Sequence, residues 1–214
     1  MKYKLVIFDF DGTLADSFPF FLSTVNALAE KHNFGKVDAA QVERLRRYDA
    51  KRIIDQLGIS LWKVPIVVAS FRRSMAKHVD QIPMFAGVTE MLHALSRQGI
   101  LLSLVTSNSY ENVLKILGKD NMSLMVHPQC GTGLFGKSSK LKKILQKTGV
   151  SPTDAIYIGD ELRDQQAAQA DKIDFGAVTW GYTRADALVK HTPTEIFYRI
   201  EEIAEKLTQQ HGFR

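Results

Sequence analysis

Four short apolar runs, at residues 5–8, 100–105, 155–158 and 175–179, show no polar alternation. Strands read this way when helices cover both faces of a sheet. Residues 123–126 form a fifth, weaker candidate. Helical spacing separates the runs. Val88, Met91, Leu92 and Leu95 follow the i, i+3, i+4, i+7 rule and Gly99 supplies the stop, while Leu141, Ile144 and Leu145 repeat the pattern up to Gly149. Strands alternating with helices predict an α/β fold with a doubly wound parallel sheet.

Residues 16–83 break that rhythm. Phe21, Val25, Leu28 and Ala29, then Ile53, Ile54 and Leu57, then Val68, Phe71, Met75 and Val79 lie on three amphipathic helical faces. Pro19, Pro65 and Pro83 punctuate the segment, and Gly58 ends its middle helix. The pattern predicts a helical cap at 16–83 inserted into a core of residues 1–15 and 84–214, with connections near 15–18 and 82–87. Phe18, Phe20, Phe21, Trp62 and Phe71 are expected in the cap's own core, and Asp16 and Ser17 at the N-cap of the helix beginning near Pro19. At the other end, Ile196, Ile200, Ile203 and Leu207 predict one amphipathic helix over 195–210.

Composition narrows the classes. At about 150 residues per domain, 214 residues suit one domain carrying an insertion. A hydrophobic share of 45% and a charged share of 24% exclude a disordered or collagenous chain. The single Cys130 cannot form an intramolecular disulfide and points to a reducing compartment, hence a cytoplasmic location. The six histidines contain no His-x-x-x-His pair, so a zinc site has no support. No run approaches the roughly 18 apolar residues of a membrane helix, and no membrane partner is expected. A net charge of +5 admits nucleic acid or a small anion as partner. Without a basic stripe or a recognisable module, nucleic acid is not expected.

The chemistry concentrates at Asp9-Phe10-Asp11-Gly12-Thr13-Leu14, directly after the first apolar run. Two carboxylates at i and i+2 past a buried strand emerge at the carboxyl edge of the sheet, where open α/β folds bind ligands. Gly12 permits the sharp turn there. Close carboxylates are costly unless a cation or proton is shared, which makes Mg²⁺ their natural companion.

This hexapeptide resembles the first motif of the haloacid dehalogenase superfamily, and three further signals of that family follow in order. Thr106-Ser107-Asn108 ends the second core strand, Gly136-Lys137 opens a helix, and Gly159-Asp160 with Asp164 one helical turn on ends the third. Lys140 is the competing candidate for the lysine. Val178-Thr179-Trp180-Gly181-Tyr182 is similar to the corresponding loop of the phosphoglycolate-phosphatase-like branch.

The resemblance implies a Rossmann-like core and a Mg²⁺-dependent phosphatase acting on a small phosphorylated metabolite, phosphoglycolate or a sugar-phosphate-like monoester. It implies Asp9 as nucleophile, Asp11 as general acid/base and Lys137 as the catalytic lysine. Thr106, Ser107, Asn108 and Gly12 would hold phosphate. Asp9, the Asp11 backbone carbonyl and Asp160 would hold Mg²⁺, with Asp164 behind them. Dehalogenases of the superfamily lack the carboxylate at position 11, so Asp11 points to phosphoester chemistry. A sugar-phosphate mutase on the same scaffold remains the alternative, with a non-catalytic or nucleic-acid-binding protein more distant. In the cap, Arg44, Arg47 and Arg52 are candidates to grip the substrate, from a basic group that also contains Arg46 and Lys51. The sequence is silent on oligomeric state.

Overall fold

A computed structural model describes residues 2–133 and 136–209. Its centre is a five-stranded, all-parallel sheet in the order β2-β1-β3-β4-β5. The strands are β1 (Leu5–Phe8), β2 (Leu101–Leu104), β3 (Ala155–Gly159), β4 (Asp174–Val178) and β5 (Glu195–Phe197).

Alternation in β1 explains the two-sided core. Val6 and Phe8 enter one buried cluster with Leu102, Leu104, Ile156 and Ile158. Leu5 and Ile7 enter the other with Ala155, Tyr157 and Phe175. Helices α5 (Val88–Arg97), α6 (Tyr110–Leu117) and α11 (Glu201–Thr208) cover the first face, and α8 (Lys137–Thr148) with α9 (Leu162–Ala170) the second. With both faces covered, β1 and β3 are buried along their whole length, hence their unbroken apolar runs.

Between β1 and α5 run four helices, α1 (Phe18–His32), α2 (Ala39–Leu45), α3 (Ala50–Gln56) and α4 (Val64–Lys77). Their ends are set locally. Asp38 and Gln41 form a capping box on α2, Asp49 accepts the Arg52 amide at the start of α3, and Pro occupies the first turn of α1 and of α4. The two connections to the core lie side by side. Ala15 bridges Met84 in antiparallel fashion, the Asp16 amide donates to the Pro83 carbonyl at 2.9 Å, and the Phe85 amide donates to Leu14 at 3.0 Å.

Several expectations need correction. Residues 195–210 are not one helix: β5 is followed by α11, and residue 210 lies outside the described residues. The weak strand candidate at 123–126 contributes only an isolated bridge between Leu102 and Met125, because α7 (Lys119–Ser123) occupies its start. Trp62 is not cap core but 69% exposed. Ser17 does stand at the N-cap of α1, yet its hydroxyl makes no capping bond and lies instead 3.1 Å from the Tyr182 hydroxyl. Among the described residues no single helix is long and apolar enough to cross a membrane.

Candidate active site

The strand order 2-1-3-4-5 places its switch point between β1 and its neighbours, and ligands in such sheets bind beyond the strand C-termini there. Asp9 leaves the end of β1, Asp160 the end of β3, and Thr106 lies two residues past β2. Register explains their meeting, since Phe8 pairs with both Leu104 and Ile158.

Three buried carboxylates, Asp9, Asp160 and Asp164, bring one oxygen each within 4.8 Å of one another. Lys137 Nζ lies 2.7 Å from Asp9 and 2.5 Å from Asp164. This separates Lys137 from its competitor, because among the described residues Lys140 makes no such pair. Asp164 also accepts from the Tyr157 hydroxyl at 3.1 Å and from the Glu161 amide at 3.1 Å. It therefore holds Lys137 and the loop before α9 together. Asp160 accepts from the Thr13 hydroxyl at 2.8 Å and the Tyr182 amide at 2.7 Å.

Charge accounting defines what the cluster can hold. Three carboxylates face one ammonium, while the adjacent Glu161 and Arg163 pair with each other. The surplus of two negative charges matches a divalent cation. Burial pushes Asp9 up to about 7, against the pull of Lys137. Burial also raises Asp160 well above the usual carboxylate range, and the neighbouring Glu161 and Asp9 charges add to it. Lys137 is held above its ordinary value: burial opposes its charge, but Asp164 and Asp9 outweigh burial. A compact set of hard oxygen donors with this surplus fits Mg²⁺.

The Asp11 carboxylate is not part of that cluster. Burial pushes its carboxyl up to about 6, against hydrogen bonds from Ser17 and Asn108. Asn108 Nδ2 lies 3.1 Å and 3.3 Å from the two Asp11 oxygens. The orientation of that amide is dictated behind it. Asn108 Oδ1 accepts from the Ser109 amide and from Asn112 Nδ2, and Asn112 also donates to the Arg72 carbonyl of α4.

Thr106, Ser107 and Asn108 form a hydrogen-bonded loop beside Asp11. Thr106 is fully buried, and its hydroxyl oxygen accepts the Asn108 amide at 2.9 Å, which leaves its own O–H to donate. Ser107 is half-buried beside it. Gly12 has φ +79°, and a Cβ there would run into Asp160 and the Tyr182 ring. Its amide donates to Ala15 at 2.9 Å, so Gly12 serves this loop by its shape rather than by a free N–H.

The arginine candidates are redistributed. Arg44, Arg47 and Arg52 are all exposed, Arg47 pairing with Asp186 at 3.1 Å and Arg52 stacking on Tyr48. From α2's end Arg46 also reaches the core, and it goes deeper than Arg47. It donates to the carbonyls of Tyr182 and Gly181 at 2.9 Å each and stacks over Phe18. Arg163, half-buried and paired with Glu161, was not distinguished from the sequence, nor were Thr13, Asn112 and Tyr182.

A parallel sheet whose switch point carries a carboxylate cluster, a buried lysine and a strand-end threonine is an arrangement found among α/β hydrolases. Comparison with known proteins agrees. Residues 6–178 match the family of haloacid dehalogenase-like hydrolases, and the chain belongs to that family. It is 29% identical over 207 residues to the phosphoglycolate phosphatase of Synechococcus elongatus, covering 96% of this chain and 98% of that one. It is 26% identical over 214 residues to the N-acetylmuramic acid 6-phosphate phosphatase of Pseudomonas aeruginosa, covering 92% and 94%. Among solved structures, a Lactobacillus plantarum protein described as a candidate phosphoglycolate phosphatase superimposes with a TM-score of 0.81 at 26% identity, covering 96% of this chain and 99% of the other. Fold, family and relatives agree on a phosphatase of small phosphorylated substrates.

Proposed function

We propose that this chain hydrolyses a phosphate monoester through an aspartyl-phosphate on Asp9, with Mg²⁺ as its cation. The observation that carries the reading is the convergence at one sheet edge of Asp9, Lys137, Asp160 and Thr106, with Asp11 facing the same loop. Asp9 attacks phosphorus and the ester oxygen leaves. Asp11, its carboxyl raised by burial, donates the proton that the leaving oxygen needs. It then takes a proton from the water that cleaves the acyl phosphate, which returns Asp9 to its carboxylate.

Asp9, Asp160 and the Asp11 carbonyl would hold Mg²⁺; when bound, the ion offsets the repulsion between the Asp9 carboxylate and an anionic phosphoryl group. Lys137 supplies a second positive charge at the nucleophile, and Asp164 keeps it there. Thr106, Ser107 and Asn108 line the place where phosphoryl oxygens settle. Positioning and charge of this kind carry most of phosphoryl-transfer catalysis. The insertion at 16–83 acts as a cap, strapped to the core by Arg46 and joined at the paired connections beside Ala15 and Met84. Burial pushes the Cys130 thiol up to about 11, which keeps it in its unreactive thiol form.

The test is a panel of phosphomonoesters assayed for phosphate release with Mg²⁺ and with excess EDTA. Mg²⁺-dependent release from at least one monoester is expected. Release that survives chelation contradicts the metal assignment, and no release from any ester contradicts the reading as a whole.

A further inference from the structure

Next to Asp11 the interior is not filled. A cavity of about 270 Å³ opens from Asp11 and Ser107 into the space between α1, α3 and α4. Its wall is mostly apolar, and Phe18, Phe21, Ile53, Leu57, Val68 and Phe71 are among the residues that line it. Phe18 and Phe21 pack against Tyr182 with ring centres 5.0 Å and 5.6 Å apart, and Phe21 meets Phe71 at 5.8 Å. These rings form a continuous aromatic surface leading inward from the site. The cavity is partly open to solvent rather than a sealed void. At about 30 Å³ per water-sized group, it admits roughly nine such groups.

The charged side chains on its wall already have partners. Arg46 pairs with Glu43 and donates to two core carbonyls, Asp49 accepts the Arg52 amide, and Glu161 pairs with Arg163. A second carboxylate or phosphate on the substrate would have to compete for those cations, whereas an apolar group would meet an apolar wall directly. Ligand sites of this size are mostly apolar, with a few polar groups fixing orientation; here those groups lie at the phosphate end.

We infer that the alcohol portion of the substrate is apolar, an aliphatic or aromatic body of up to roughly nine heavy atoms that lies in this cavity. The inference rests on the phosphatase reading for its chemistry, and its test separates the two. In a series of n-alkyl phosphates from methyl to octyl, kcat/KM is expected to rise about fourfold per buried methylene until the cavity is full. 2-Phosphoglycolate, which carries a carboxylate instead, is expected to fall below hexyl phosphate. A flat or falling series, or 2-phosphoglycolate as the best substrate, overturns the inference and leaves the phosphatase reading standing.

Binding reads the cavity without turnover. n-Octyl phosphonate is expected to bind at least about tenfold more tightly than methyl phosphonate, with the negative heat-capacity change of apolar burial. Equal affinities overturn the inference even if every ester is inert; inert esters with chain-length-dependent binding overturn only the phosphatase reading. Val68→Trp, which puts a ring into the void, is expected to cut the octyl-to-methyl preference about tenfold. An undiminished preference in folded Val68→Trp contradicts the placement, and the wild-type series decides if that variant does not fold.

Discussion

Arg46 Nε donates to the Tyr182 carbonyl at 2.9 Å, joining the end of α2 to the loop that follows β4. The same guanidinium reaches Gly181, whose neighbour Tyr182 donates its own amide to Asp160. One arginine of the insertion thus braces the loop that donates to the Asp160 carboxylate. Hydrogen bonds to a charged group contribute about 1.5–3 kcal/mol. Arg46→Ala is expected to lose about that much stability and to raise KM several-fold, measured by denaturant melts and steady-state kinetics. The exposed Arg44→Ala is expected to stay within about 0.5 kcal/mol of wild type.

Lys137 is nearly inaccessible and bridges two equally buried carboxylates. Removing one member of such a group leaves uncompensated charge and costs about 3–5 kcal/mol. Lys137→Ala is expected to show that loss in Mg²⁺-free buffer and to reduce kcat by at least about a hundredfold. Lys140→Ala is expected to leave both nearly unchanged. Equal losses in the two variants would reverse the assignment of the lysine.

A Cβ on Gly181 would overlap the Asp160 side chain. Gly181→Ala is therefore expected to displace that carboxylate and weaken Mg²⁺ binding at least about tenfold, read by calorimetry on the folded variant. Gly99, whose Cβ direction is open, has φ +75° and no neighbour to strike. Gly99→Ala is expected to lose only the roughly 1 kcal/mol of its backbone strain and to bind Mg²⁺ normally.

Burial raises Asp9 to about 7 and Asp11 to about 6 in the metal-free chain. Between an unfolded value of about 4 and those folded values, the native state binds more protons than the unfolded state. Stability contributed by these groups is full below about pH 4 and is lost as pH rises toward about 7. Mg²⁺ replaces the missing protons, so its stabilising effect is expected to be larger near pH 8 than near pH 5. At about 100 times its Kd the ion contributes about 2.7 kcal/mol, a Tm increase of about 5–10 °C for a chain of this size. A Tm response to Mg²⁺ that is equal at both pH values would contradict the carboxylate surplus.

Much of this arrangement was legible before the structure. Apolar runs without polar alternation marked β1 to β4 because their strands lie between two helical layers, and the acidic residues after β1 and β3 were readable from their positions at strand ends. Glu195–Phe197 was misread because Ile196 happens to fall in helical phase with Ile200, Ile203 and Leu207, although a strand and a turn separate it from them. Trp62 was misread because an aromatic residue between helices carries no sign of which way it faces. The contacts of Arg46, Asn112 and Gly181 were not legible for another reason: they depend on partners in other elements, as with Arg46 and Tyr182, 136 positions apart. Local pattern locates elements; contacts that distant are set by topology.

The central claim is that Asp9 carries the phosphoryl group. Wild-type protein turning over a substrate with Mg²⁺ is acid-quenched, digested and examined by mass spectrometry. The account predicts one added phosphoryl group on the peptide containing Asp9, lost on treatment with hydroxylamine and absent from Asp9→Asn, which also loses turnover. Sustained turnover by Asp9→Asn, or a phosphoryl group trapped on any other residue, would contradict it.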